Sequence, residues 1–233
     1  MSLVAGSPRG FSGYKGGIGA NVLFNGPNDV SVDKTGNIYV ADTLNHCVRL
    51  IQNGTAQVNT VAGNGSPGDG YGIGLKAILR NPYSVAVKPN GDVYILDSGN
   101  YKIKLLNKNL QVLRFSGSGI EGSFLGDALT SRYNDLYLSD VDPSGNLYVI
   151  DFRRDLDSRL LKINGNGIPA IVRDFATIDS NWIWENGTNA VWENGDNAIF
   201  DVIISEDNNY VVCVAVNNSG VLYVTESQSG VGI

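Results

Sequence analysis

One ten-residue phrase occurs three times in this chain, as DKTGNIYVAD at 33–42, KPNGDVYILD at 88–97 and DPSGNLYVID at 142–151. The copies lie about 55 residues apart. A nearly constant interval of this size indicates a repeat protein, whose units stack and bury their apolar faces against each other. This phrase therefore constrains the fold more than any other feature of the sequence.

Each copy of the phrase lies inside a unit of four short predicted strands. A run such as NDVSVD, from Asn28, precedes the phrase, and the glycine in its turn suits a positive φ. A second hairpin and a fourth strand follow it, for example QVNTVAG from Gln57. The second strand is apolar at nearly every position, so both of its faces must be buried. Sheets covered on both sides are typical of a β-propeller, whereas a two-layer sandwich predicts clean alternation.

The fourth unit is weaker, and two registers fit it. We predict the register in which Asn208 occupies the turn, so that DVIISEDNNYVVCVAV from Asp201 aligns with the first unit. The extra length before this unit matches a duplicated octad, because WENG occurs from Trp184 and again from Trp192. The alternative register places Gly220 in the turn.

The N-terminus resembles the end of a blade, since VAG at 4–6 corresponds to VAG at 61–63. Residues 3–5 would complete the fourth sheet and leave no exposed strand edge. We therefore predict an all-β fold, a β-propeller of four four-stranded blades closed by the N-terminal strand. One domain covers 1–233, with blades at approximately 28–62, 83–116, 136–174 and 200–226 plus 3–5. The alternative is a fragment or half-ring, so the protein is a monomer or a ring-completing oligomer.

These phrases resemble the NHL-repeat family of β-propellers. The first unit follows the family pattern closely, with Pro27 before its first strand, GNIYVAD from Gly36 and NHCVR from Asn45. The second unit has Tyr101 where the pattern has histidine, and the match weakens after residue 155. The resemblance implies a propeller, usually of six blades where the repeats here indicate four. It leaves the function open, because the family includes lyases, lactonase-like relatives, RNA binders and protein-binding modules.

Charge and hydropathy argue against several partners. A net charge of -6 and a pI of about 4.7 provide no basic footprint for a phosphate backbone, so nucleic acid is not an expected partner. No apolar run approaches the roughly 18 residues of a membrane helix, and the N-terminus lacks the apolar core of a signal peptide. We expect a soluble, acidic protein without membrane association, cytoplasmic or virion-associated. The paired octads resemble short repeats of phage structural and tail proteins, which suggests a viral source.

Catalytic residues are scarce. His46 is the only histidine, and no G-x-S-x-G elbow is present. GNGSPG at 63–68 and GSGIEG at 117–122 match a nucleotide fingerprint, but both continue into glycine-rich loop where a helix is required. The related NHL-fold lyases depend on several histidines that this chain lacks. We predict no catalytic residues and a non-catalytic protein; the alternative is a metal-dependent enzyme of the lactonase or lyase type that uses channel carboxylates.

Asp140 is the candidate metal ligand. Its counterparts in the other units, Ser31 among them, are not acidic, so it adds a carboxylate to an innermost strand beside the channel. Calcium is the cofactor such oxygen ligands would hold, and no other cofactor is predicted. The recurring Asp42, Asp97 and Asp151 are expected to cap turns.

Long loops between the blades carry the candidate ligand site. The aromatic residues of these loops are Tyr14, Tyr71, Trp182, Trp184 and Trp192. Aromatic faces near Asn and Glu suit sugar rings or a protein hot spot, although the same rings could pack the loops onto their own blades. We therefore predict a binding or assembly module whose partner, a protein or a carbohydrate, is bound on the inter-blade loop face.

Overall fold

The structure is a computed structural model that describes residues 3–152, 158–174, 210–216 and 222–227. Its strands are β1 (Gly17–Ile18), β2 (Pro27–Val32), β3 (Ile38–Asp42), β4 (Cys47–Ile51), β5 (Gln57–Ala62), β6 (Gly72–Ile73), β7 (Pro82–Val87), β8 (Val93–Asp97), β9 (Lys102–Leu106), β10 (Gln111–Ser116), β11 (Asp135–Val141), β12 (Leu147–Phe152), β13 (Arg159–Ile163), β14 (Pro169–Asp174), β15 (Tyr210–Val216) and β16 (Leu222–Ser227). Short 3-10 turns occur at Gly19–Asn21, Thr43–Asn45, Gly74–Lys76 and Ser98–Asn100. Within these ranges there is no α-helix, and no helical segment has the length and apolar character that a membrane crossing demands.

The strands form antiparallel sheets with one internal order. The first sheet runs β2-β3-β4-β5, with β1 at its outer edge, and the second runs β7-β8-β9-β10, with β6 at its outer edge. The third runs β11-β12-β13-β14, and β15 pairs with β16. The first strands β2, β7 and β11 pack side by side and so surround a common axis. This is the arrangement of propeller blades, and the predicted all-β propeller fold is confirmed; the number of blades stays a prediction.

The turn between the first and second strands is the same in three blades. Val32 pairs with Ile38 across this turn in blade one, and blades two and three pair their equivalent residues in the same way. The turn glycines Gly36, Gly91 and Gly145 have φ of 83°, 90° and 83°. Residues with a Cβ, and β-branched ones above all, resist this conformation, so the predicted positive φ is confirmed.

Two apolar clusters fill the spaces between neighbouring blades. One joins blades one and two and includes Val48 and Ile95, and the other joins blades two and three and includes Tyr94 and Leu136. Successive residues of a strand face opposite sides, so Tyr94 and Ile95 enter different clusters and β8 is buried at every position. Full burial of a side chain such as Ile95 stabilises the fold by about 1.5–3 kcal/mol.

Blade one has a more open outer face. Val30 and Val32, on its first strand, are each 58% exposed. Partial cover comes from the chain before β2, because Ala5 and Phe24 pack against the cluster that contains Val40. The predicted burial of second strands on both faces is therefore complete in blade two and partial in blade one.

The hairpin β15–β16 corrects the register predicted for the fourth unit. Val216 pairs with Leu222, the connection covers 217–221, and the register shifts near the start of β15. The hairpin β2–β3 has the same connection length, at 33–37, and the same shift, whereas β3–β4 pairs without any shift. The pairing therefore makes β15 and β16 the first and second strands of a blade, which matches the alternative register with Gly220 between them and contradicts the one with Asn208 in the turn.

Residues 3–5, predicted to close the fourth blade, have no strand assignment. Ala5 instead packs against blade one, and the backbone N–H of Gly6 donates to the carbonyl oxygen of Gly19 at 3.1 Å. Ring closure by this segment and the outlines of the blades stay predictions.

Candidate functional site

The candidate site lies where the turns of three blades converge. Neighbouring strands are antiparallel, so the turns after the first and third strands of every blade lie at one end of the propeller. At this end they enclose a cleft of about 580 Å³, named here the turn cleft. Its charged lining residues are Asp33, Lys34, Lys88, Lys108 and Asp142. Small-molecule sites typically occupy about 300–1,000 Å³, so the turn cleft has room for one.

Both carboxylates of the turn cleft bind their own turns. Asp33 accepts hydrogen bonds from the backbone N–H of Thr35 at 2.8 Å and of Asn37 at 3.0 Å, and from both of their side chains. Asp142 accepts the backbone and side-chain N–H groups of Asn146, each at 2.8 Å. Burial acts to raise the pKa of Asp33, but the hydrogen bonds from Thr35 and Asn37 prevail and hold it below its ordinary value. Asp33 is therefore an anion at neutral pH whose acceptor positions are largely occupied.

Lys88 occupies, in blade two, the position that aspartate holds in blades one and three. Its ammonium lies 4.9 Å from the ring centroid of Tyr94, whose hydroxyl donates to the carbonyl oxygen of Gly145 at 3.0 Å. Burial, followed by the charges of Asp92 and Asp142, raises the pKa of Tyr94 to about 12, so the ring is a neutral phenol at pH 7. Lys88 thus has an aromatic neighbour, and among the described residues it forms no ion pair.

A line of polar side chains crosses the inner strands. Asp29 and Ser84 occupy equivalent positions on β2 and β7, and Ser139 on β11 lies one position further along, where blades one and two have Val30 and Val85. The Ser84 hydroxyl donates to Asp29 at 2.5 Å and shares a 2.7 Å hydrogen bond with the Ser139 hydroxyl. Burial raises the pKa of Asp29, although the hydrogen bonds from Ser84 and Val85 oppose the rise. This line connects three blades next to the axis.

Asp140 lies on β11, at the position of Ser31, as the alignment placed it. Its carboxylate accepts the backbone N–H of Val141 at 2.7 Å, and its charge adds to the rise in the pKa of Asp29. In the part of the chain that the structure describes, no group of three His, Cys, Asp or Glu side chains is arranged to hold a metal ion. The structure thus brings the Asp29 charge within electrostatic range of Asp140, and calcium binding by Asp140 stays a prediction.

The three aspartates that end the second strands are fully buried, and each pairs with a basic side chain of the third strand. The pairs are Asp42–Arg49 at 3.2 Å, Asp97–Lys104 at 2.8 Å and Asp151–Arg159 at 2.7 Å. Each carboxylate also accepts, at 2.7 Å, a backbone N–H that lies just before the first strand of its blade. Asp42 and Asp97 make no side-chain cap to the 3-10 turns that follow them. The turn-capping prediction is therefore corrected for Asp42 and Asp97, and it stays a prediction for Asp151. All three buried acids balance buried cations and hold the start of their blade in place.

Tyr14 and Tyr71 cover two of these cations on the inter-blade loop face. The guanidinium of Arg49 lies 5.2 Å from the Tyr14 ring centroid, and the ammonium of Lys104 lies 5.0 Å from that of Tyr71. Each tyrosine ring thus packs on a cation of the blade that follows it in the chain. The two tyrosines remain 48% and 42% exposed, so part of each ring is open to solvent. Their ligand-binding role stays a prediction. Three further predicted ligand residues lie outside the described residues: Trp182, Trp184 and Trp192.

His46 and Cys47 are adjacent residues at the start of β4 in blade one. His46 accepts the backbone N–H of Asn81 through Nδ1 at 3.2 Å, which ties blade one to the start of blade two. Burial, aided by the charge of Arg80, lowers the pKa of His46, so the ring is neutral at pH 7. Burial, aided by the charge of Asp42, raises the pKa of the fully buried Cys47 thiol to about 12. Neither side chain is arranged as a catalytic base or nucleophile.

The turn cleft is the feature that sequence reasoning missed. A signal was present, because position 88 is lysine where the other two copies of the phrase have aspartate. Three lysines from two blades converge here only after the blades stack, so their grouping is not visible in sequence spacing.

Comparison with known proteins confirms the NHL resemblance. A model of the NHL repeat matches residues 24–49. The protein SUPPRESSOR OF QUENCHING 1, chloroplastic, of Arabidopsis thaliana is 35% identical over 125 residues, which cover 50% of this chain and 12% of that protein. NHL repeat-containing protein 2 of Homo sapiens is 27% identical over 118 residues, which cover 47% of this chain and 16% of that protein. The aligned region is thus a small part of each relative.

Among solved structures, selenomethionine-substituted virginiamycin B lyase from Staphylococcus aureus is similar with a TM-score of 0.48 and 11% sequence identity. The similarity covers 88% of this chain and 50% of that chain. Identity this low carries no information about activity.

Proposed function

We propose that this chain, with its NHL repeat and propeller fold, is a non-catalytic binding module and that the turn cleft holds its ligand. The observation that carries the proposal is the cleft of about 580 Å³ between turns of three blades. Hydrogen bonds fix those turns, such as Gly91 N–H to Lys88 O at 2.8 Å and Gly145 N–H to Asp142 O at 2.8 Å. A site built on fixed backbone loses little conformational entropy when it binds, which favours affinity.

A thermal-shift screen of small molecules, run on two matched variants, tests this function. Val32→Trp adds bulk at a residue that lines the turn cleft, whereas Val30→Trp places the same ring on the same strand at a position that does not line it. Both positions are 58% exposed, so both variants should fold. A true ligand at 100 times its Kd stabilises the native state by about 2.7 kcal/mol, a Tm rise of roughly 5–10 °C. We expect that rise in the wild type and Val30→Trp and its loss in Val32→Trp. Equal rises in all three proteins would place binding elsewhere.

The inter-blade loop face is the second candidate surface, for a carbohydrate or a protein. The open tyrosine surfaces beside buried cations support it, as do the tryptophans that the sequence places in the last loop. The test is a glycan array probed with the wild type and a Trp184→Ala/Trp192→Ala double variant. Glycan binding that disappears in the double variant supports the carbohydrate reading. Glycan binding that persists in the double variant rejects the role of these two tryptophans. A folded wild type that binds no glycan rejects the carbohydrate reading and leaves protein partners for a separate pull-down.

A metal-dependent enzyme of the lactonase or lyase type is the alternative function. In its favour, Asp29 and Asp140 both lie on the first strands of their blades, which pack side by side around the axis. Lactone hydrolysis that requires calcium, stops on chelation and falls in Asp140→Asn would establish it. Absence of hydrolysis with added calcium would exclude a calcium-dependent lactonase.

A further inference from the structure

We propose that the turn cleft binds small organic anions, with a carboxylate or phosphate group held by Lys88 and flanked by Lys34 and Lys108. This inference rests on the proposed function, in which the turn cleft is the ligand site, and it adds the chemical class of the ligand.

The charge of the turn cleft is opposite to that of the chain as a whole. The protein carries a net charge of -6, yet three lysines line this one cleft. The two acids beside them are engaged by their own turns, and Asp142 also lies 3.7 Å from the ammonium of Lys162. Within the described residues, none of the three lining lysines forms an ion pair. The cleft therefore offers ammonium groups to an incoming anion.

Lys88 is the residue best placed to bind the anionic group. It is half-buried, and its aliphatic end packs over the turn of the next blade, because its Cε lies 3.5 Å from where a Cβ on Gly145 would stand. The neutral Tyr94 ring beneath the ammonium provides a cation–π contact, but it has no oxygen lone pairs directed at the N–H groups to accept their hydrogen bonds as a carboxylate does. No hydrogen bond from the Lys88 ammonium is formed within the described residues, so its three N–H donors are available to a carboxylate or phosphate.

The walls of the cleft define the rest of the ligand. Val32, Val87, Leu106 and Leu110 line it together with the half-buried Tyr39. Val32 and Leu110 are 58% and 39% exposed, so a ligand that covers them removes apolar surface from water. An acid with a compact aromatic or aliphatic body satisfies both the lysines and these walls.

A probe series with one body and different charges tests the inference. The probes are phenyl phosphate, benzoate, benzyl alcohol and benzylammonium, titrated into the wild type and followed by NMR chemical shifts. We expect both anions to bind about tenfold to a hundredfold more tightly than benzyl alcohol, and benzylammonium to bind no more tightly than the alcohol. Lys88→Gln should remove most of the preference for anions. Lys76→Gln is the control, because it removes one positive charge from an exposed turn residue that does not line the turn cleft.

The series separates this inference from the proposed function. If all probes bind with the same affinity and Val32→Trp abolishes that binding, the cleft is a ligand site but the anion preference is refuted. If no probe is affected by Val32→Trp, the turn cleft is not the site and both proposals fail. An equal loss of anion affinity in Lys88→Gln and Lys76→Gln would show a general charge effect and overturn the role of Lys88. A tighter Kd for phenyl phosphate than for benzoate would identify phosphate as the preferred group, and the reverse order would identify carboxylate.

Discussion

Asp151→Asn should destabilise this protein more than Asp97→Asn, although both acids occupy the same position of the repeat. Asp151 is fully buried and accepts two N–H groups of Arg159, from Nε at 2.8 Å and from Nη2 at 2.7 Å. Without its charge, Arg159 retains only carbonyl partners, such as that of Ser123 at 2.7 Å, and becomes a buried cation with no counter-charge among the described residues. Breaking a buried pair in this way costs about 3–5 kcal/mol.

Asp97 differs because Lys104 has a second carboxylate. Asp69 lies 2.9 Å from the Lys104 ammonium and keeps that cation balanced when the charge of Asp97 is removed. The expected loss for Asp97→Asn is therefore about 1–3 kcal/mol, the penalty for disrupted hydrogen bonds to a charged group.

Urea unfolding followed by circular dichroism measures both losses, and Asp127→Asn, at an exposed loop position, is the matched control with little expected change. The double variant Asp151→Asn/Arg159→Met should recover part of the stability, because it no longer leaves a buried charge unpaired. Equal losses for the two single variants, or a larger loss for Asp97→Asn, would refute the argument that the second carboxylate matters.

Three further predictions concern the junction around His46. The folded pKa of His46 lies below the unfolded value of about 6.5, so the unfolded state binds more protons at pH values between the two. The free energy of unfolding should therefore fall as pH is lowered through that window. Urea midpoints from pH 8 to 5 should show this slope in the wild type and a flatter one in His46→Gln. Gly63→Ala should lower the Tm much more than Gly10→Ala. Both glycines have a positive φ, which costs a residue with a Cβ about 1–2 kcal/mol, but a Cβ at Gly63 would also lie 2.4 Å from the carbonyl oxygen of His46. Similar Tm values for the two variants would contradict that clash. In a Cys213→Ser background, Cys47 should not react with a thiol reagent at pH 8 until the protein unfolds, because burial raises its pKa to about 12; rapid labelling of the folded protein would count against its burial.

The propeller class followed from the sequence because its cause is local and repeated. An apolar second strand that has no polar face has to be covered on both sides, and stacked blades supply that cover. The same reasoning failed for the fourth unit, where Asn208 and Gly220 both suit a turn with positive φ. Strand pairing decided between them, since β15 and β16 share the register shift and connection length of a first hairpin.

The roles of individual polar residues were less accessible. The recurrence of Asp42, Asp97 and Asp151 was plain in the sequence, but each could serve a turn or an ion pair. Its partner stands seven or eight positions later on the next strand, and only the antiparallel pairing of second and third strands brings the two together.

By itself, the sequence determined the repeat, the turn glycines and the all-β class, because short-range backbone sterics and the alternation of faces along a strand act within one unit. Only the tertiary structure decided which side chains from different blades meet. The turn cleft has this origin: Lys34, Lys88 and Lys108 belong to three different turns in two blades, and they share one cavity because the blades pack around a common axis with their turns at the same end. The positive charge of the cleft depends on how the blades stack, so it cannot be read from the spacing of lysines along the sequence.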